Sequence, residues 1–214
     1  MLVKELASKK LRMSGRACEE SRDTHLKTFP NVLVVRSGTS PQDSCIYLAF
    51  SKAKARPYPD KPSEGAFQIG LEKGRKNDAL LNFLHSVYVR SKCISTTDLC
   101  LRFNQEAYSI SIEVSPIQTN GDLFRLCVEG INEIIRVLEV KTYFLPKAVQ
   151  FGCVEGALMQ DPDEAETLAS EWTMTVVMKS ARELLLVEKS GEGVGVGDIL
   201  RAIDCAMLAA SSKV

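Results

Sequence analysis

The stretch IEVSPIQTNGDLFRLCVEGINEIIRVLEV, from Ile112 to Val140, carries most of the evidence for how this chain folds. Its opening residues alternate: Ile112 and Val114 stand between Ser111, Glu113 and Ser115, the period of a half-buried strand. Asn120-Gly121-Asp122 then supplies the small polar residues of a tight turn. Beyond it Leu123, Cys127, Ile131, Ile134, Ile135 and Leu138 recur at helical spacing, which predicts a helix with one apolar face. Arg125, Glu129, Glu133, Arg136 and Glu139 fall on the opposite, wet face, and Arg125 and Glu129 are spaced for an i,i+4 ion pair there. Many α/β proteins contain a strand, an Asx-Gly turn and a helix, so the stretch specifies an architecture and not a function.

Composition narrows the class. A chain of 214 residues with 45% hydrophobic residues is long enough for one large domain, read here as a single unit over 1–214. Lys plus Arg and Asp plus Glu balance at 27 each, which argues against a whole-protein electrostatic grip on nucleic acid but leaves room for a local basic strip. The seven cysteines form no C-x-x-C pair and several sit in apolar runs, so they read as buried thiols of a reducing compartment. The amino terminus lacks an apolar signal core, and no segment approaches the length of a membrane span.

Outward from the opening stretch, the pattern predicts a mixed α/β domain. A short helix is expected over 2–10, strands over Val32–Arg36 and Cys45–Ser51, and an exposed basic, Pro-containing loop over Lys52–Gly65. A helix follows from Asn77 to Val89, then strands near 97–103 and 108–114. The second half offers strands near 148–153, 173–179 and 183–188. A last helix is capped by Asp198, with Ile199, Ile203 and Met207 on its buried face.

Two motifs invite a functional reading. The glycines at 191, 193, 195 and 197 lie between a strand and a helix, but their even spacing misses the G-x-G-x-x-G of a dinucleotide loop, so they read as a structural turn. Asp161, Asp163, Glu164 and Glu166 form an acidic patch; with His25 and His85 far off in sequence, it reads as solvated rather than metal-binding. No G-x-S-x-G, H-E-x-x-H or Walker loop is present, and no metal or cofactor is expected.

Four separated places together resemble the RNase PH superfamily and cover most of the chain. RMSGRACEESR (12–22) is similar to the family's R-P-D-G-R-x-x-x-x-x-R opening, and SCIYLAFSKAKARP (44–57) to its first long strand, after a shortened hairpin over 36–41. The Asn120–Val140 block matches the D-G-G-T-R or D-G-N-L type of turn and helix. Last, MQDPDEAE (159–166) and VEKSG (187–191) look like D-P-T-x-x-E-E and the later K-x-G-G, wording that sides with the eukaryotic RNA exosome ring subunits. The resemblance implies an α+β, RNase PH-like fold (ribosomal protein S5 domain 2-like), with mixed sheets packed with helices.

The same resemblance bears on catalysis. Active family members degrade RNA from the 3′ end by phosphorolysis, which needs cationic and backbone donors for phosphate and acidic residues beside the scissile bond. With the third block anchored on Gly130, the family's phosphate-binding Arg falls on Phe124, and Asp122 stands in place of a glycine. With the later strand anchored on MTVVM (174–178), the two family aspartates fall on Thr167 and Thr173, which cannot serve as carboxylates. The expectation is a chain without catalysis; the enzyme alternative is a phosphate-dependent 3′ exoribonuclease that repositions Arg125 and Glu166.

As a non-catalytic ring subunit the chain is expected to partner other RNase PH-like exosome subunits, cap subunits with S1 and KH domains, and single-stranded RNA, in nucleus (including nucleolus) and cytoplasm and away from membranes. Arg75, Lys76, Arg90 and Lys92 are the candidate RNA contacts, of phosphate type and without base specificity. A reading of another class is a free-standing RNA-binding module.

Overall fold

A computed structural model describes residues 2–74 and 77–211. The first half runs α1 (Leu2–Ser8), β1 (Thr24–Phe29), β2 (Val32–Ser37), β3 (Cys45–Ala55), β4 (Ala66–Leu71), α2 (Asp78–Leu84), β5 (Cys100–Arg102), β6 (Glu106–Gln118) and α3 (Leu123–Val137). The second half runs β7 (Lys147–Val154), β8 (Ala157–Gln160), α4 (Glu164–Ala169), β9 (Trp172–Ser180), β10 (Glu183–Gly191) and α5 (Val196–Ser211). Two sheets result. One follows the order β1-β2-β3-β6-β4, with β5 also on β6; the other follows β10-β9-β7-β8.

The first sheet is antiparallel except where β4 lies parallel to β6. A parallel neighbour needs a crossover, and α2 lies on that path. The four-strand sheet is antiparallel throughout. Helix α3 lies between the sheets, packing on β2 and β3 on one side and β7 on the other. Gly130 allows the close approach: a Cβ there would stand 2.3 Å from Leu48 Cδ1 and 2.8 Å from Val35 Cγ2. Enclosure on two sides buries far more of α3 than one apolar stripe. Arg125, Leu126, Val128 and Asn132 are buried along with Cys127, Ile131, Ile134 and Ile135.

Several expectations need correction. Lys52–Ala55 belong to β3, where they pair with Ile110–Ala107, so only 56–65 remains as the loop. The helix from Asn77 begins with that residue as N-cap and turns π-helical over His85–Arg90. The strand expected near 97–103 is a 3₁₀ turn (Thr97–Leu99) followed by the three residues of β5. Strands β1, β4 and β8 and helix α4 escaped the periodicity. In β1 all residues but the first are exposed, and β8 is four residues long, so neither shows an alternating pattern.

The last helix starts at Val196, so Asp198 lies in its first turn and is not its cap. Its buried line is Ala202, Ala206 and Ala210, while Ile199, Ile203 and Met207 pack only partly against the same cluster. Of the cysteines, Cys45, Cys93, Cys127 and Cys153 are buried and Cys18, Cys100 and Cys205 half-buried; all are free thiols. Burial pushes the Cys93 thiol up to about 12, so it stays protonated near neutral pH. Among the described residues no helix is long and apolar enough to cross a membrane.

Candidate functional site: the amino-terminal end of α3

The turn before α3 is held against the second half of the chain. Gly121 has a φ of +88°, and a Cβ there would lie 2.2 Å from the Pro162 carbonyl oxygen and 2.9 Å from Thr167 Oγ1. No side chain larger than hydrogen fits. Asn120 Oδ1 accepts a 2.7 Å hydrogen bond from the Glu164 backbone N–H, and the Gln150 amide donates to the Gly121 carbonyl. The turn, the segment around Pro162 and strand β7 thus meet at one point.

Four arginines and the carboxylates of Asp122, Asp161 and Glu166 are buried or nearly so around that point. Arg12 donates from Nε to Glu166 Oε1 at 2.8 Å and from Nη2 to Glu166 Oε2, a bidentate pair shielded from solvent. Its remaining N–H groups reach the carbonyls of Gln160 and Asp161. Glu166 also accepts from the Asp163 N–H at 3.0 Å while Asp163 Oδ1 accepts from the Glu166 N–H at 2.8 Å, a capping box that starts α4. Arg22 donates to both oxygens of Asp161, at 2.8 and 3.0 Å, and its backbone N–H adds a third bond at 2.7 Å. Arg16 Nη1 reaches the same carboxylate at 3.1 Å.

Arg125 is the fourth. It donates to Asp122 Oδ2 at 2.7 Å, Glu129 Oε1 at 3.0 Å, Thr24 Oγ1 at 2.9 Å and Ser37 Oγ at 3.1 Å. The expected Arg125–Glu129 pair therefore forms, but Arg125 is buried rather than on a wet face. The cause is the first sheet together with the segment after β8: Thr24 of β1 and Ser37 of β2 stand against the guanidinium and Asp161 Oδ1 lies 3.7 Å away, covering what an isolated amphipathic helix would expose. Burial alone would raise the carboxyl pKa of Asp161. The Arg22 hydrogen bond and the charges of Arg125 and Arg22 outweigh it and hold the group below its ordinary value.

The acidic patch is thereby divided. Asp161 and Glu166 are arginine-bound, whereas Asp163 and Glu164 belong to the start of α4. Among the described residues no three or more His, Cys, Asp or Glu side chains are grouped so as to hold a metal ion. Phe124 is half-buried, its ring meeting that of Phe83 edge-on with centroids 4.7 Å apart. Thr167 sits beside the Gly121 turn, and its buried Oγ1 has no hydrogen-bond partner. Thr173 pairs with Gly152 of β7, whose Cβ position lies 3.2 Å from Pro162 Cβ. Phe124 and Thr167 thus flank one turn, with Thr173 on the adjoining sheet.

The candidate RNA contacts lie elsewhere. Arg75 and Lys76 are outside the described residues. Arg90 and Lys92 are exposed at the end of the π-helical turn, which packs on β4 and β10 and not on the α3 turn. Sequence reading found the arginine-rich 12–22 segment and the acids over 161–166 but did not join them. Arg12 and Glu166 are 154 residues apart, and no local spacing signals such a pair.

Beside this cluster runs a groove of ≈1150 Å³, bounded by β1, α3, β7 and α5 and reaching Thr24, Arg125, Glu129 and Leu208. On α5 three large apolar residues face away from the sheet: Val196 is 73%, Leu200 56% and Leu208 71% exposed.

Residues 145–209 match the family described as 3′ exoribonuclease family, domain 2. No curated protein matches the chain by sequence. Among solved structures, an archaeal exosome core is 15% identical with a TM-score of 0.79, over 98% of this chain and 92% of that one. An Archaeoglobus fulgidus exosome with RNA bound to the active site gives 15% identity and 0.79 over 98% and 93%. Rice (Oryza sativa) Rrp46 gives 16% identity and 0.71 over 94% of each chain. The chain has the α+β, RNase PH-like fold.

Proposed function

We propose that this chain is a non-catalytic subunit of an RNase PH-type exosome ring, supporting 3′-to-5′ RNA processing and degradation as part of the wall. One conjunction carries the reading. The chain matches exosome core subunits over nearly its whole length, while the positions of the family's phosphate-binding Arg and two acids hold Phe124, Thr167 and Thr173. A phenyl ring cannot neutralise phosphate, and a threonine hydroxyl cannot act as a carboxylate acid or base near neutral pH. The repositioned alternative is disfavoured by occupancy: Arg125 is engaged by Asp122 and Glu129, and Glu166 by Arg12.

The outward apolar residues of α5 fit a subunit covered by neighbours, since exposed apolar surface of this kind marks an interaction face. Its partners are other RNase PH-like subunits, with cap subunits above and single-stranded RNA in the channel, in nucleus and cytoplasm. Arg75, Lys76, Arg90 and Lys92 contribute phosphate contacts there.

Co-expression with RNase PH-like subunits of the same cell, followed by native mass spectrometry, tests the assembly. A stoichiometric ring is expected. A chain that stays monomeric beside every such partner would instead be a free-standing module. Incubation of the purified chain with single-stranded RNA, phosphate and magnesium should release no nucleoside diphosphate. Phosphate-dependent release that disappears in Arg125→Ala would establish the enzyme reading.

A further inference from the structure

The three arginines of the amino-terminal segment are not equally matched. Arg12 holds Glu166 and Arg22 holds Asp161, each through two side-chain hydrogen bonds. Arg16 has only a share of Asp161, whose Oδ2 it reaches at 3.1 Å beside Arg22. Its other Nη contacts are the Glu20 and Asp161 carbonyls at 3.3–3.4 Å. Burial pulls the Arg16 pKa below its ordinary value and the charges of Arg12 and Arg22 add to this, so Asp161 does not compensate.

On its outer side Arg16 meets a hydroxyl. Arg16 Nε donates to Ser14 Oγ at 3.1 Å, and that hydroxyl donates to no protein group among the described residues. Ser14 is exposed on a turn closed by the Gly15 N–H, which donates to the Arg12 carbonyl at 3.1 Å. A Cβ on Gly15 would meet nothing within 4 Å, so a group added to Ser14 has open space on one side and a guanidinium on the other. In the R-P-D-G-R opening that residues 12–16 resemble, this place is held by aspartate. The chain therefore carries a hydroxyl where the pattern carries an anion. An aspartate's charge is permanent near neutral pH, whereas a serine can gain and lose one.

We propose that Ser14 is a phosphorylation site and that Arg16 receives its phosphate, which gives the arginine cluster a removable anion. The donor is ATP, delivered by a serine kinase that accepts a basic segment, since exposed Lys9 and Lys10 lie just upstream. Ser14 Oγ bonds to the γ-phosphorus as the bond to the bridging oxygen breaks; ADP leaves and the hydroxyl proton passes to the kinase's base. The phosphate brings a charge of about −1.5 to −2 at pH 7 and three acceptor oxygens, to a guanidinium that already points at its ester oxygen. The added pairing fastens the 12–22 segment to the Asp161 end of the second sheet, because Arg16 holds both. The inference does not rest on ring membership.

The full chain with phosphoserine installed at position 14 during synthesis tests the receiving half. It should melt about 2–4 °C above the unmodified chain, and the gain should vanish when Arg16→Met is added. Ser14→Asp should reproduce part of the gain and Ser14→Ala none. Should Arg16→Met not fold, phosphorus NMR still decides: the second phosphate pKa should lie below its usual value near ~6 in the folded chain and return to it in urea. A phosphorylated chain that melts at or below the unmodified one, or a phosphate pKa equal in folded and unfolded chain, overturns the proposal. The modification itself is read by mass spectrometry of the protein isolated from its own cells under phosphatase inhibition. Phosphate at Ser14, removable by a phosphatase, is expected; its absence from both growing and arrested cultures overturns the proposal as well. Neither failure touches the ring reading, which is scored by assembly.

Discussion

Helices α3 and α5 both lie on a sheet, yet they are built in opposite senses. In α3 the large side chains face inward and nearly every side is covered, even Arg125 and Asn132. In α5 three alanines, Ala202, Ala206 and Ala210, face the sheet, while Val196, Leu200 and Leu208 face out. The alanines let the helix lie close to β9 and β7. The difference teaches where each helix spends its apolar surface: α3 holds the two halves of this chain together, whereas α5 packs Ile199, Ile203 and Met207 only partly against its own sheet and leaves Val196, Leu200 and Leu208 exposed. The charged groups follow the same division, with the arginine-carboxylate cluster closed on itself at α3.

The largest effect should come from opening that cluster. Glu166→Ala leaves Arg12 buried without its counter-ion and removes one arm of the α4 capping box, so urea unfolding should show a loss of about 3–5 kcal/mol. Next, Ile131→Ala in the enclosed helix should cost about 2–5 kcal/mol through lost burial and a cavity. Should Leu208→Ala on α5 cost as much, the contrast between the helices would be broken.

The pH dependence sharpens the cluster's part in it. Asp161 titrates below its ordinary value, so its stabilisation is fully present above the unfolded carboxylate pKa near ~3.9 and is lost as pH falls through the lower folded value. Melting temperature should therefore fall steeply below about pH 4. Asp161→Asn should be less stable at neutral pH and should have a flatter acid limb; an unchanged limb would place the acid-sensitive group elsewhere.

Smaller effects belong to the outer surface. Leu200→Ser with Leu208→Ser should change the stability of the isolated chain by no more than ~0.5 kcal/mol per site, yet lower its recovery with RNase PH-like partners in co-purification. Unchanged recovery would mean that α5 faces solvent in the assembly. Least of all, Arg90→Glu with Lys92→Glu should leave assembly intact and reduce the salt slope of ring binding to single-stranded RNA by about 0.7 per lost phosphate contact.

How much of this was legible beforehand differs by element. The strand-turn-helix from Ile112 to Val137 was readable, because alternation and helical spacing are local properties of the chain. So were β7, β9 and β10, whose apolar runs stand out from their surroundings. The π-helical turn at His85–Arg90 gave no sign, since its residues suit an α-helix equally well.

What the sequence by itself determined was the set of amphipathic segments and, through the four family-like blocks, the α+β fold they build. Only the tertiary structure decided what the charged residues do. Arg125 looked like one half of a surface pair and is the buried centre of a network that includes Asp122; Asp161 and Glu166 looked like a solvated patch and are bound to arginines from the amino-terminal segment. The physical reason is range. Hydrophobic periodicity is written into neighbours three or four residues apart, whereas the partner of a buried charge is whichever group the fold delivers, here from as far as 154 residues away.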